Sequence, residues 1–293
     1  MPDDACRYMG AKGMKGRPMS RRVCALLVFG LAVLGLASPA CAQDYPFLRG
    51  SETVGPATFT RWSGFYAGGD FSYTSAIVDF SNATGPSVAL SLQDTVVQQQ
   101  FAPSQLQTLG KAGDSAFGYG GFLGYNTQWQ DLITGVEATY THTFLSVASS
   151  SSGIVSRNFT PPAGNVTNVA IGPSTGRLDL TDYGEVRGRA GYVVGDLLPY
   201  GFIGVVVGSG NYSVSTNVGL TCIGGAPCTG FPQTPGAGQS NALLYGLSIG
   251  GGLEWAVTPN VFLRGEFEFV QFADISSISI SLFSARVGAG FKF

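Results

Sequence analysis

The strongest constraint in this sequence is where its charged residues fall. From Arg61 onward, stretches of about ten residues alternate apolar or aromatic side chains with small or polar ones. In the first, Phe65, Ala67, Gly69, Phe71 and Tyr73 share one face, and Tyr66, Gly68, Asp70, Ser72 and Thr74 share the other. A period of two is the signature of a β-strand, whose successive side chains point to opposite sides of the sheet. Eight such stretches can be placed, near 62–75, 115–127, 132–145, 180–194, 198–210, 242–256, 261–272 and 280–293. Within them Glu137, Glu185, Arg187, Arg189, Glu254, Arg264, Glu266, Glu268, Arg286 and Lys292 all fall on the parity of Asp70. The opposite parity is almost free of charge, as in Val136, Ala138 and Tyr140 or in Leu263, Gly265, Phe267 and Phe269.

Two architectures place all charges on one face of a closed sheet. A soluble barrel would turn them to solvent and fold its apolar face inward. Eight strands of aromatic side chains would then have to fit an interior too narrow for them. A membrane barrel sets the charge-free face against lipid, where a Lys or Arg at mid-depth costs about 2–4 kcal/mol. Its charges then meet in the lumen, and the six acids and five bases here are balanced closely enough to pair. The expected fold is therefore all-β: an eight-stranded antiparallel transmembrane β-barrel over 61–293. Stretches of about 9–11 residues, tilted, match the thickness of a bilayer. Trp62, Tyr66, Tyr73, Tyr125, Trp129, Tyr192, Tyr200, Tyr245 and Trp255 lie near strand ends and are expected to form aromatic girdles at the two interfaces.

The connections alternate in length. Asn126 to Asp131, Val194 to Leu197 and Val257 to Asn260 read as tight turns, while 76–114, 146–179 and 211–241 are long polar stretches. Short periplasmic turns and long extracellular loops are the expected arrangement of an outer-membrane barrel. The last connection, near Ala273 to Ser277, is short, and a short helix is expected within 92–109.

The first 42 residues have a different character. Arg21 and Arg22 precede an apolar run from Val23 to Ala37, and Ser38-Pro39-Ala40-Cys41-Ala42 follows it. That order reads as a secretory signal peptide over 1–42, cut after Ala42, with Met1, Met14 and Met19 as candidate starts. The run is too short for a helical membrane span. Residues 43–60 read as a periplasmic lead-in. Beyond residue 42 the chain keeps ten basic and sixteen acidic groups, and two lysines, so it has no electrostatic footprint for nucleic acid. Of five cysteines only Cys222 and Cys228 remain after cleavage, and an even pair in an exported chain reads as a disulfide. Two cysteines and the lone His142 supply too few ligands for a metal, so no metal and no cofactor is expected.

No catalytic set emerges. Gly118-Tyr119-Gly120 and Gly208-Ser209-Gly210 lack the strand and helix that a phosphate-binding loop needs on either side. Glu137 with Arg187, and Glu266 with Arg264, read as structural ion pairs rather than acid–base partners. His142 falls on the lipid-facing parity, near Thr141, Thr143 and Ser146, with no acid placed to orient it.

Three segments carry a family likeness: Trp62-Ser63-Gly64-Phe65-Tyr66-Ala67-Gly68-Gly69, Gly184-Glu185-Val186-Arg187-Gly188-Arg189-Ala190-Gly191-Tyr192 and Arg286-Val287-Gly288-Ala289-Gly290-Phe291-Lys292-Phe293. With Gly135-Val136-Glu137 they resemble the small outer-membrane β-barrel, porin-like surface-protein family of alphaproteobacteria, over about residues 60–293. The resemblance implies an eight-stranded barrel and a bacterial outer-membrane location. It also implies that Phe291 and Phe293 form the signal read by the outer-membrane assembly machinery. The expected partners are that machinery and the lipid and lipopolysaccharide of the outer membrane; nothing in the sequence identifies a ligand of the loops. The expected role is structural and surface-displaying, non-enzymatic, with a charge-plugged lumen. A small passive channel is the alternative and a lipid-modifying enzyme a remote one.

Overall fold

The computed structural model describes residues 61–93, 95–163 and 165–293. The signal segment and the lead-in expected over 1–60 lie outside the described residues. Nine antiparallel strands follow in order: β1 (Gly64–Asp79), β2 (Lys111–Trp129), β3 (Leu132–Ser151), β4 (Val155–Ala163), β5 (Val166–Tyr192), β6 (Leu197–Cys222), β7 (Gly236–Ala256), β8 (Val261–Phe272) and β9 (Ser279–Lys292). Two short helices, α1 (Gly85–Ser91) and α2 (Val96–Phe101), lie between β1 and β2.

Eight of the strands close into a ring. Each pairs with its neighbour in sequence, except that β3 pairs with β5, and β1 pairs with β9 from Tyr66↔Lys292 to Asp79↔Ser279. Closure leaves no strand edge along the membrane-depth part of the wall, where unpaired backbone groups facing lipid would each cost several kcal/mol. The ninth strand, β4, belongs to no stretch expected from the sequence. It pairs with β5 through Val155↔Ile171 to Asn158↔Asn168, beyond the end of the β3–β5 ladder.

The long polar stretches also differ from expectation. Most of 146–179 and much of 211–241 is strand rather than loop, and β5 and β6 reach 27 and 26 residues. That is more than twice the roughly 9–11 needed to cross a bilayer. The reason is visible on β6. Below Gly210 its outward residues are Ile203, Val205 and Val207; above it they are Asn211, Ser213, Ser215 and Asn217. Inward, the upper part carries Val214, Val218 and Leu220, all buried. One strand thus has a lipid-type outer face in its lower half and a water-type outer face with an apolar interior in its upper half.

The interior is layered accordingly. Next to the short turns, Trp62, Tyr66, Phe122, Tyr200, Phe202 and Phe262 form an aromatic floor. The buried charges follow. Beyond them Val78, Phe80, Leu145, Leu178, Val206, Leu244, Phe272 and Ile280 fill the lumen. At the far end Val88 of α1, Leu92 just past its end and Val97 of α2 pack with Val169, Ile171, Val218, Leu220 and Cys228. Thr95 caps α2 by accepting the Gln98 N–H at 3.3 Å. Cys222 and Cys228 form the expected disulfide, joining the end of β6 to the connection that follows it.

The expected girdles need one correction. Tyr73, Tyr125, Trp129, Tyr192, Tyr245 and Trp255 are exposed on the outer surface, whereas Trp62, Tyr66 and Tyr200 are buried inside. These three stand on the charge-bearing parity or just outside a strand, and proximity to a strand end does not override parity.

The barrel lumen as candidate functional site

Every charged residue singled out in the strands points inward. Glu137, Glu185, Arg187, Arg189, Glu254, Arg264, Glu266, Glu268 and Arg286 are each at most 4% exposed. Register explains the first contacts. Glu137 on β3 stands opposite Arg187 on β5, and Glu254 on β7 opposite Arg264 on β8. Alternate residues on one strand share its inner face, so Glu185, Arg187 and Arg189 form a column, as do Arg264, Glu266 and Glu268.

Three arginines and four glutamates join into one network. Arg187 donates from Nε to Glu137 Oε1 at 2.9 Å and from Nη2 to Glu266 Oε1 at 2.6 Å, and its Nη1 lies 3.7 Å from Glu185 Oε2. Arg189 Nη1 donates to Glu254 Oε1 at 2.9 Å and Glu137 Oε2 at 3.1 Å. Arg264 spans the lumen from β8 to β3, with Nη1 to Glu137 Oε1 at 3.1 Å and Nη2 to Glu137 Oε2 at 2.6 Å. The same guanidinium reaches Glu254 Oε1 from Nη2 at 2.7 Å. Paired arginine donors on a carboxylate are the strongest of these contacts. Arg286 and Glu268 form a further pair at 2.6 Å, with Tyr183 accepting from Arg286 at 3.1 Å.

Several members of the site carry no charge. Tyr66 donates to Glu137 Oε2 at 2.7 Å, Tyr200 donates to Glu266, and Ser248 donates to Glu185. Aromatic faces cover the guanidiniums: Phe202 under Arg187 at 3.9 Å, Tyr200 under Arg189 at 4.0 Å and Phe122 under Arg264 at 3.8 Å. Lys292 lies 4.1 Å from the Trp62 ring and donates to the Arg61 carbonyl at 3.2 Å. Glycines make the room. A Cβ on Gly204 would lie 2.6 Å from Glu185 Oε1, and one on Gly124 would lie 2.3 Å from the Tyr66 hydroxyl. Tyr66 and Tyr200 share the inward parity of their strands, and that signal was available in the sequence. Which carboxylate each would meet was not.

The outer surface is the complement. Phe65, Phe71, Leu123, Val136, Val186, Ile203, Leu247, Ile249, Phe267 and Val287 are exposed around the ring, without a charged side chain among them. The model of the outer membrane protein beta-barrel domain family matches residues 29–293. The chain belongs to that family. No curated protein matches the sequence. Among solved structures, the family member is similar to Neisserial surface protein A at 14% identity, covering 79% of this chain and 98% of that one, with a TM-score of 0.36. It is similar to Ail, the attachment invasion locus protein of Yersinia pestis, at 12% identity, covering 78% and 99%, with a TM-score of 0.34. It is also similar to the outer membrane protease OmpT of Escherichia coli at 11% identity, covering 80% and 98%, with a TM-score of 0.33. Likenesses at this level assign the barrel no activity.

One polar cluster of this outer-membrane barrel lies outside the lumen, and it corrects the expectation for His142. An oriented acid is present. His142 Nδ1 lies 2.7 Å from Asp182 Oδ1, and Tyr140 donates to the same oxygen at 2.6 Å. Asp182 reaches the outer face because the β5–β6 and β3–β5 ladders shift register beside it. The His142 ring is wedged between Phe144 at 4.8 Å and Tyr119 at 5.3 Å. The hydroxyls of Thr141 and Thr143 are buried on the lumen side, away from the pair.

Phe291 and Phe293 lie at the end of β9, exposed, with ring centroids 5.3 Å apart. The Phe293 N–H donates to the Phe65 carbonyl at 2.9 Å, tying the last residue to the first strand.

Proposed function

We propose that this outer-membrane barrel is a sealed wall element: it anchors in the membrane, lends it a rigid plug, and presents its tall β3–β7 extensions and helical cap outside the cell. The observation that carries this reading is the filled lumen. An aromatic floor, an ion-pair layer, an apolar layer and a cap succeed one another along its axis, with every layer buried. An eight-stranded barrel has an interior just wide enough for side chains to fill. The short turns then face the periplasm. The partners are outer-membrane lipid and lipopolysaccharide around the belt, and the assembly machinery at Phe291 and Phe293. The resemblance to alphaproteobacterial porin-like surface proteins fits this role, as does export by a cleaved signal over 1–42.

The test is conductance of residues 43–293 refolded into planar bilayers. The sealed reading expects no steady openings at moderate voltage. Steady openings that vanish when Arg187 and Arg189 are both replaced would establish the passive channel instead. Heat-modifiable gel mobility of the same sample checks that the barrel has formed.

A further inference from the structure

On one side of the barrel the lipid-type outer wall ends in a polar groove. Arg177, Asp179, Asn211, Ser213, Gln239 and Ser240 line it, on β5, β6 and β7, and it holds about 290 Å³. Register builds it. Asp179 stands opposite Asn211 and Arg177 opposite Ser213 across the β5–β6 ladder, and Ser213 stands opposite Gly238 on β7. Gly238 has no side chain to close the far wall. The β6–β7 ladder shifts register between Gly210 and Tyr212. Asn241, at φ 54°, marks the same irregularity, and its N–H donates to Asn211 Oδ1 at 2.9 Å.

The height of the groove is as informative as its shape. Below it the outward residues of β6 include Val207, Val205 and Ile203, and those of β7 are Leu243, Tyr245 and Leu247, all exposed. The groove therefore starts where the lipid-facing surface stops. In an outer membrane that level is filled by the saccharide of lipopolysaccharide. Its phosphorylated sugars, which carry the acyl chains, lie at the edge of the belt, and the core sugars attached beyond them reach the groove.

The lining suits a neutral polyol better than an ion. Arg177 Nε donates to both Asp179 oxygens, at 3.1 and 2.9 Å, and among the described residues the two Nη groups of Arg177 donate to nothing. A carboxylate only accepts, a guanidinium only donates, and a hydroxyl does both. Adjacent hydroxyls of one ring can thus donate to Asp179 and accept from Arg177, two charge-assisted contacts, within reach of the amides of Asn211 and Gln239. The pair leaves the lining without net charge. A free phosphate would meet Asp179 as well as Arg177, and a cation would meet Arg177. A groove open to water holds a lone sugar weakly, but a sugar tethered to the surrounding leaflet is confined beside it at high effective concentration.

We propose that this groove binds a neutral core sugar of the lipopolysaccharide around the barrel, with Asp179 and Arg177 sharing its hydroxyls. The proposal rests on the orientation argued above, in which the β3–β7 extensions stand outside the cell. It pins glycolipid to the β5–β7 face, whereas acyl chains bind every apolar face alike.

The test is native mass spectrometry of refolded residues 43–293 in detergent, titrated with three probes: rough lipopolysaccharide, lipid A without core sugars, and detached core oligosaccharide. The wild type is expected to bind rough lipopolysaccharide about tenfold tighter than lipid A, and the detached oligosaccharide far more weakly than either. Arg177→Ala and Ser213→Phe, one removing the donor and one filling the groove, are expected to keep heat-modifiable mobility and lose the preference for rough lipopolysaccharide. Equal affinity of the wild type for the two lipids would overturn the proposal, as would a preference that survives in either variant. Detached oligosaccharide bound as tightly as rough lipopolysaccharide would overturn it in favour of a soluble glycan. Should a variant fail to fold, the three probes on the wild type decide. The sealed-lumen reading is tested by conductance, so its failure and the failure of this site are told apart.

Discussion

Arg264 grips Glu137 across the barrel with two nitrogens on two oxygens, at 3.1 and 2.6 Å, although the residues are 127 apart in sequence. The contact ties β8 to β3, two strands that share no ladder. It works as an internal strut, and it has a testable energetic signature. Removing one partner of a buried pair leaves a bare charge and costs about 3–5 kcal/mol, whereas removing both is much milder. Arg264→Ala should therefore destabilise the barrel more than Arg264→Ala combined with Glu137→Ala. Glu137 also serves Arg187 and Arg189, so the recovery will be partial. Urea titrations of Arg264→Ala, Glu137→Ala and the double variant in the same detergent compare them directly. A double variant weaker by the full sum of the singles would show the residues to be uncoupled.

Two glycines offer a matched steric experiment. Gly124 faces the lumen where Tyr66 donates to Glu137, and Gly188 faces outward with nothing within 4 Å of an added Cβ. Gly124→Ala should displace the Tyr66 ring and cost about 1–3 kcal/mol, the usual penalty of overpacking. Gly188→Ala should be close to neutral. Unfolding midpoints measured side by side give the answer, and equal effects would contradict the inward assignment of Gly124.

The Cys222–Cys228 bridge closes a small ring at the end of β6, far from the ion-pair layer. A short ring removes little chain entropy, so the bridge contributes less than about 3 kcal/mol and acts locally. Replacing both cysteines by serine should leave heat-modifiable mobility intact and make 223–235 more susceptible to protease. Loss of the folded band in the double variant would give the bridge a global role.

The last residue is bonded to the first strand through Phe293 N–H and Phe65 O at 2.9 Å. Deleting Phe293 should lower the amount assembled in the outer membrane and leave processed chain in the periplasm, as fractionation and immunoblotting would show. Epitope tags within 220–235 should be tolerated and reachable on intact cells. A tag detected only after the cells are opened would reverse the orientation proposed above.

His142 is oriented by Asp182, and among the described residues the neighbouring Thr141 and Thr143 turn away from it into the barrel. Lipid A mass spectra from cells carrying His142→Ala should match those of the wild type. A change in acylation would revive the lipid-modifying reading.

The alternation of Phe65 to Tyr73 and the shared parity of eleven charges determined the barrel, its inside and its outside from sequence alone. Lipid tolerates no charge on one face, and a strand has only two faces to offer. The upper half resisted the same reading for a physical reason. On β5 the inward residues are Ser174, Leu178 and Leu180 above, then Tyr183, Glu185, Arg187 and Arg189 below. The irregularity between Leu180 and Asp182 shifts the parity by one, so a single alternating phase breaks there and strand looks like loop. It also delivers Asp182 to His142, a contact that spacing could not reveal. Above the membrane the outer face becomes polar while the inner becomes apolar, which blurs the contrast that marks a lipid-crossing strand. Which residues faced inward was a local property, set by the pleat. Which of them met, Arg264 with Glu137 or Tyr200 with Glu266, depended on closing the ring and on the register of every ladder, and only the tertiary structure decides those.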